Sequence, residues 1–174
     1  MEFQGLNIYL KEKHQNYWEN FKYYGDYMAE NVKIIKKNEE IITLFDLVNQ
    51  VKKNPKIDEC GAVFSFEGIV RGKEKENKVK KLNLSTPDAQ KTENELKEII
   101  KEVKDKYGVT EIAAVHYTGE FYTGDLLLLV VVAGAHRGET SDALKESIER
   151  IKFELDFKKE EYTDEGKNII MSGG

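Results

Sequence analysis

Two lysines near the end of the chain, Lys152 and Lys159, lie seven positions apart in ERIKFELDFKKEEYTDEG, residues 149–166. A helical period gives way to a strand-like one between them. Lys152 follows Ile151 and stands four residues after Ile148, so on a helix it flanks an apolar stripe rather than opposing it. Beyond the break, Phe157 and Lys159 share a face if the residues alternate as in a strand. An ammonium at the margin of an apolar surface loses hydration, which favours the neutral amine. Such a lysine can act as a nucleophile or a proton donor. The plainer alternative is snorkelling, with the stem over apolar atoms and the charge in water.

AGAHRGET, residues 133–140, adds a second basic feature. His136 and Arg137 stand at the carboxyl end of the most apolar strand, just before a helix expected to start near Ser141 or Asp142. A helix N-terminus offers amide donors to an anion, and arginine grips phosphate through two parallel hydrogen bonds. The pair could equally do no more than close the strand. Arg71, ending GIVRG, is another basic residue at a strand end. His116, in VHYTG, falls inside a strand and reads as a core histidine outside the site. Three separated histidines and a single cysteine, Cys60, give no metal signature and exclude an intrachain disulfide. These residues alone point to a small phosphorylated or carboxylated ligand, without specifying a reaction.

The elements that must position them follow from periodicity. The 174 residues suffice for one domain with a sizeable core. A net charge of −5 argues against a general attraction to nucleic acid or anionic membrane. No apolar run is long enough to span a bilayer, and the N-terminus lacks the basic start and apolar core of a secretory signal. A soluble cytoplasmic protein is expected. Residues 1–31 form an extension of unknown role. Its segment YWENFKYYGDY holds six aromatics, suited to helical turns docked on the body or to a partner-binding patch. Residues 32–174 form the main domain.

Within that domain VKIIKK predicts a short strand and ITLFDLVNQVKK a helix. CGAVFSFEGIVRG (60–72) and VKKLNL (79–84) predict strands, with a charged loop at 73–78. The next helix has Thr86 as its cap, Pro87 at its first position and a stripe of Leu96, Ile99, Ile100, Val103 and Tyr107, ending at Gly108. TEIAAVHYTG and DLLLLVVVAGA predict two strands joined by a turn. Leu144, Ile148, Ile151 and Leu155 mark the apolar face of the last helix. Few strands alternate with helices, so the fold class expected is α+β rather than doubly wound.

In this order and spacing, GAVFSFEGIVR, VHYTGEFYTGD, VVVAGAHRGET and IKFELDFKKEEYTDEG resemble the large-subunit family of molybdopterin synthase, over residues 32–168. The resemblance implies an α/β-hammerhead with a mainly antiparallel sheet. It implies a sulfurtransferase that makes the molybdopterin dithiolene from cyclic pyranopterin monophosphate and needs no resident cofactor. It also implies a small ubiquitin-like partner that carries sulfur as a thiocarboxylate on its C-terminal Gly-Gly, and a homodimer at the centre of a heterotetramer. By the same resemblance, Lys152 and Lys159 are catalytic and also bind substrate. Ile69, Val70, Arg71, His136, Arg137, Glu160 and Glu161 complete the substrate-binding set. A non-catalytic pterin-phosphate binding or scaffold protein of molybdenum cofactor synthesis is the alternative. Differences from the family lie at STPDAQ (85–90), at Lys158, where an aromatic is common, and in the tail KNIIMSGG. The terminal Gly173–Gly174 matches the end of sulfur carriers, but no ubiquitin-like pattern precedes it.

Overall fold

LLLLVVVAG, the most apolar stretch of the chain, is an interior strand of an eight-stranded sheet. The computed structural model describes residues 31–74 and 77–170. The aromatic segment 17–27 and Gly173–Gly174 lie outside the described residues. In chain order the elements are β1 (Val32–Lys36), α1 (Leu44–Val51), a 3-10 turn (Ile57–Glu59), β2 (Ala62–Ile69), β3 (Lys73–Glu74) and β4 (Asn77–Ser85). There follow α2 (Ala89–Tyr107), β5 (Glu111–Phe121), β6 (Leu126–Gly134), α3 (Arg137–Glu154), β7 (Lys158–Thr163) and β8 (Lys167–Ile170).

The axis of the sheet is β5. One edge pairs antiparallel with β6 from Glu111 opposite Ala133 to His116 opposite Leu128. The other edge pairs in parallel with β1 from Val32–Ala114 to Lys36–Thr118. Past that, β5 pairs antiparallel with β4, Leu84 opposite Gly119 and Leu82 opposite Phe121. Gly119 sits at the change of partner with φ of 129°, a conformation that side chains rarely adopt. On one side β2 follows β6; on the other, β7 and then β8 follow β4. Two sub-sheets thus share one strand, and every pairing but β1–β5 is antiparallel. This is the α+β hammerhead expected.

All residues of β5 from Glu111 to Tyr117 and of β6 from Leu128 to Gly134 are buried. Both sheet faces are therefore covered there. The neighbours α2 and α3 cover one face, and α1 packs against β6, β5 and β2 on the other. Thr43 and Asp46 form a capping box at the start of α1, which is shorter than the predicted helix. The cap of α2 is Asp88, which accepts from the Lys91 N–H, and not Thr86. Thr86 instead shares a 2.5 Å hydrogen bond with Thr92, and Pro87 precedes the cap. The predicted stripe of α2 is buried from Leu96 to Val103, and Tyr107 reaches Glu146 on α3 with its hydroxyl. Within the expected charged loop, β3 and β4 pair antiparallel, Lys73 opposite Lys78 and Glu74 opposite Asn77.

The start of α3 also differs from expectation. It begins at Arg137, so HRGE belongs to the cap and first turn. Its fully buried line is Thr140, Ala143, Ser147 and Ile151, with Leu144 and Ile148 only flanking it. Small residues let the helix approach β6 closely. Ser147 and Thr140 satisfy their hydroxyls on backbone carbonyls four residues back, at 2.7 and 2.6 Å. The approach is tightest at Gly134, where an added Cβ would lie 2.6 Å from Thr140 Oγ1 and 3.1 Å from Val109 Cγ1. No described helix is long and apolar enough to cross a membrane.

His116 lies in β5, as expected of a core histidine, with its ring centroid 4.5 Å from that of Phe157. Desolvation lowers its pKa to about 4, against a smaller upward pull from the Tyr117 carbonyl. The ring is neutral at pH 7, and its Nδ1 is 3.1 Å from the Tyr117 carbonyl.

Two outcomes follow from this packing. Gly134→Ala should cost about 1–3 kcal/mol in urea unfolding through overpacking against Thr140. That cost should shrink in a Thr140→Ala background, and an unchanged midpoint for Gly134→Ala alone contradicts the close approach. For His116 the folded pKa lies below the unfolded value of 6.5. Its neutral form therefore stabilises the fold fully above that value, and the contribution is lost as pH falls toward 4. His116→Phe should flatten the decline in unfolding midpoint between pH 6.5 and 4. An identical decline in the variant assigns that proton uptake elsewhere.

Candidate functional site

The lysines take their places from the break between α3 and β7. Lys152 is in the last turn of α3, exposed beside the fully buried Ile151. Leu155 and Phe157 are buried and pin the connection. Lys159 is half-buried on β7, opposite Leu84 of β4. Strand alternation puts Lys159, Glu161 and Thr163 on one face with Leu84, Leu82 and Val79 of β4. Those three β4 residues are buried, so Lys159 stands at the margin of an apolar surface, as expected.

Glu160 and Glu161 separate by the same alternation. Glu161 shares the Lys159 face, is 6% exposed, and its Oε2 has no hydrogen-bond partner. A buried carboxylate oxygen without a donor is costly, and a ligand donor would relieve it. Glu160 points to the face opposite Lys159 and Glu161. There it pairs with Lys167 at 2.8 Å and Lys158 at 2.9 Å and accepts from Asn83 at 3.4 Å. Lys167, then Lys158 and Asn83, lower the Glu160 pKa to about 2. It clamps β4, β7 and β8 together.

Arg71 follows β2, whose last residue Ile69 is 52% exposed while Val70 is buried. The Val70 N–H donates to Asp125 O at 3.0 Å, and Val70 O accepts from Gly124 N–H at 2.9 Å. Arg71 is thereby held beside the turn between β5 and β6. Since α3 runs back along β6 and β2, its C-terminal turn lies at this same end of the sheet. Gly119, Leu84 and Lys159 form one row across β5, β4 and β7 close to that turn. Lys152, Lys159 and Arg71 are therefore brought to one end.

His136 and Arg137 are not. They follow Gly134, which pairs with Ala62 at the far end of the β2–β6 ladder. The eight residues of β2 separate that end from Arg71 by roughly 25 Å at the usual strand rise. Along α3, Arg137 and Lys152 are separated by roughly 22 Å. Within one chain His136 and Arg137 therefore lie apart from the lysines, because β6 and α3 run antiparallel over their full lengths. His136 is the N-cap of α3 without a side-chain capping bond, and both residues are exposed beside the first-turn amides. Among the described residues, no group of three or more His, Cys, Asp and Glu side chains is placed to hold a metal.

Sequence reading missed the clamp on Val70 and the ion pair of Lys37 with Asp125 beside it. The GD of FYTGD was the available signal, since it marks a turn but not what the turn holds.

Comparison with known proteins gives these ends a family. Residues 38–154 match the family model described as MoaE protein. The Salmonella typhimurium protein named molybdopterin synthase catalytic subunit is 34% identical over 65% of this chain and 75% of its own length. A Haloferax volcanii protein named probable molybdopterin synthase is 33% identical over 75% of this chain and 51% of its own length. Among solved structures, molybdopterin synthase from Staphylococcus aureus superposes with a TM-score of 0.69 and 26% identity, covering 80% of this chain and 96% of that one. A Helicobacter pylori complex of subunits 1 and 2 of molybdopterin-converting factor has a TM-score of 0.60 at 22% identity, covering 82% of this chain and 90% of that one, a likeness of fold. With a family match over well more than half its length and the same overall fold as the Staphylococcus aureus structure, the chain belongs to the MoaE protein family.

Proposed function

We propose that this chain is the large, catalytic subunit of a cytoplasmic molybdopterin synthase. It would transfer sulfur from the thiocarboxylated C-terminal glycine of a small ubiquitin-like subunit to cyclic pyranopterin monophosphate. The observation that carries this reading is the gathering of Lys152, Lys159 and Arg71 at one end of the sheet, in a chain of this family. The partner is supported by the Helicobacter pylori structure of the same fold, which is a complex of two subunits.

The chemistry suits these groups. Attack by the thiocarboxylate sulfur on a pterin side-chain carbon, followed by cleavage of the acyl–sulfur bond, leaves sulfur on the substrate. It releases a carboxylate on the carrier once water has supplied the oxygen. Negative charge builds on the acyl oxygen and on the departing phosphate oxygen. Ammonium donors stabilise such charge best where water is excluded. Lys152, exposed in the single chain, would gain that setting when the carrier tail covers it. Lys159, already at an apolar margin, would hold the substrate from β7, and Glu161 Oε2 would accept a donor from it. Arg71 would take the phosphate, with Ile69 and Val70 shaping the approach.

His136 and Arg137 enter this site only across an interface, because one chain keeps them roughly 22 Å from Lys152 along α3. A homodimer that sets the start of α3 in one copy against the lysine end of the other completes the basic set. Two such composite sites, each with a carrier, make the heterotetramer.

The test is conversion of cyclic pyranopterin monophosphate by this chain with a thiocarboxylated small subunit, read by mass spectrometry of the sulfurated product. Lys152→Ala should lower the rate by about 10²–10³, the usual effect of removing one charge-stabilising donor. Its stability should stay within about 0.5 kcal/mol of wild type, because the side chain is exposed. Near-normal turnover removes Lys152 from the mechanism, and no product with the wild-type chain removes the function.

A further inference from the structure

Lys37 stands immediately after β1, far in sequence from every residue assigned to the site. Its backbone N–H donates to Thr118 O at 2.8 Å, holding it against β5 where that strand changes partner. Its ammonium donates to Glu120 O at 3.0 Å and pairs with Asp125 Oδ2. It also lies 5.0 Å from the ring centroid of Phe121 and 5.5 Å from that of Tyr122. Room for this approach is made by Gly119, where a Cβ would come 3.2 Å from Lys37 Cβ.

Asp125 closes the turn that Lys37 grips. Its Oδ2 accepts from the Tyr122 N–H at 2.7 Å, and its own N–H donates to Tyr122 O at 2.9 Å. The Lys37 ammonium, first among several influences, keeps the Asp125 carboxyl below the usual range and so charged. The far side of the turn holds both backbone polar groups of Val70. A continuous chain of bonds thus leads from the Lys37 ammonium through Asp125 and the turn to the residue before Arg71.

We propose that Lys37 and Asp125 are positioning residues for Arg71: their ion pair fixes the β5–β6 turn, and the turn sets where the guanidinium meets the substrate phosphate. This rests on the sulfur-transfer reading and deepens it. The pair is partly exposed, with side-chain accessibilities of 26% and 34%. Pairs of that kind contribute little to global stability. Their effect here is local, because a two-pronged arginine grip on phosphate tolerates little displacement. Substrate affinity is therefore what the pair controls.

The experiment measures initial rates against precursor concentration, using the full chain with the thiocarboxylated small subunit. Lys37→Met should raise KM for the precursor about tenfold while kcat stays within about twofold, and Asp125→Asn should act in the same direction. Lys37→Arg, which keeps the charge and the donors, should recover most of the affinity. In an Arg71→Ala background Lys37→Met should raise KM no further, a coupling that a merely structural role does not produce. An unchanged KM in Lys37→Met, or an equal rise with and without Arg71, overturns the proposal. Amide exchange at Val70 and Gly124 reads the clamp independently of catalysis: it should quicken in Lys37→Met while the β5–β6 centre stays protected. Unchanged exchange overturns the proposal even if the wild-type chain proves inactive, an inactivity that would count against the sulfur-transfer reading itself.

Discussion

Pairing along both edges of β5 is the constraint from which the rest of the molecule follows. From Glu111 to Tyr117 the strand is also buried on both faces, by α2 and α3 on one side and α1 on the other. A slip of one residue would turn its whole set of buried side chains to the wrong face, so its register is strongly specified. Gly119 then lets the strand hand over from β1 to β4, and the second sub-sheet inherits its position from the first. Lys159 is held to this axis through β4. Lys152 is held to it through the close approach of α3 to β6, which depends on Gly134 and a line of small residues. Two lysines on different kinds of element are thus referred to one rigid reference.

The same rigidity sets a limit on what one chain can do. An α-helix of 18 residues spans roughly 27 Å, about the length of the strands it covers. The start of α3, with His136 and Arg137, and its lysine-bearing end must then lie at opposite ends of the sheet. Bending or shortening the helix would sacrifice the packing that orients Lys152. In the proposed synthase, assembly between copies would join the two ends without that sacrifice, which would give oligomerisation a chemical purpose beyond stability.

Much of this was legible in the residues. Strand and helix periods located β1, β2, β4, β5, β6, α2 and the helix-to-strand break, because burial imposes those periods directly. His116 was rightly left in the core. What escaped was decided by close contact or by distance. Alternation separates Glu160 from Glu161 in principle, but which face each takes is set by pairing with Leu82 and Leu84. The buried line of α3 reads Thr, Ala, Ser, Ile, because tight packing selected small side chains over the larger Leu144 and Ile148. Asp88 outcompeted Thr86 as a cap because α2 begins after Pro87. The separation of His136 and Arg137 from the lysines was not visible, since sequence motifs carry order and spacing along the chain but not direction in the sheet. Lys37 showed no motif, as its partners lie more than eighty residues away.

Complementation between two inactive copies probes the composite site without intermediaries. One copy carries Lys152→Ala, the other Arg137→Ala, and each alone should be nearly inactive as a homodimer. Mixed dimers of the two should regain sulfur transfer at about half the wild-type rate per dimer. One of their two sites would then be built entirely from intact residues, while the other would carry both substitutions. If mixed dimers form but stay as inactive as the parents, Lys152 and Arg137 do not act across the interface, and the composite site is refuted.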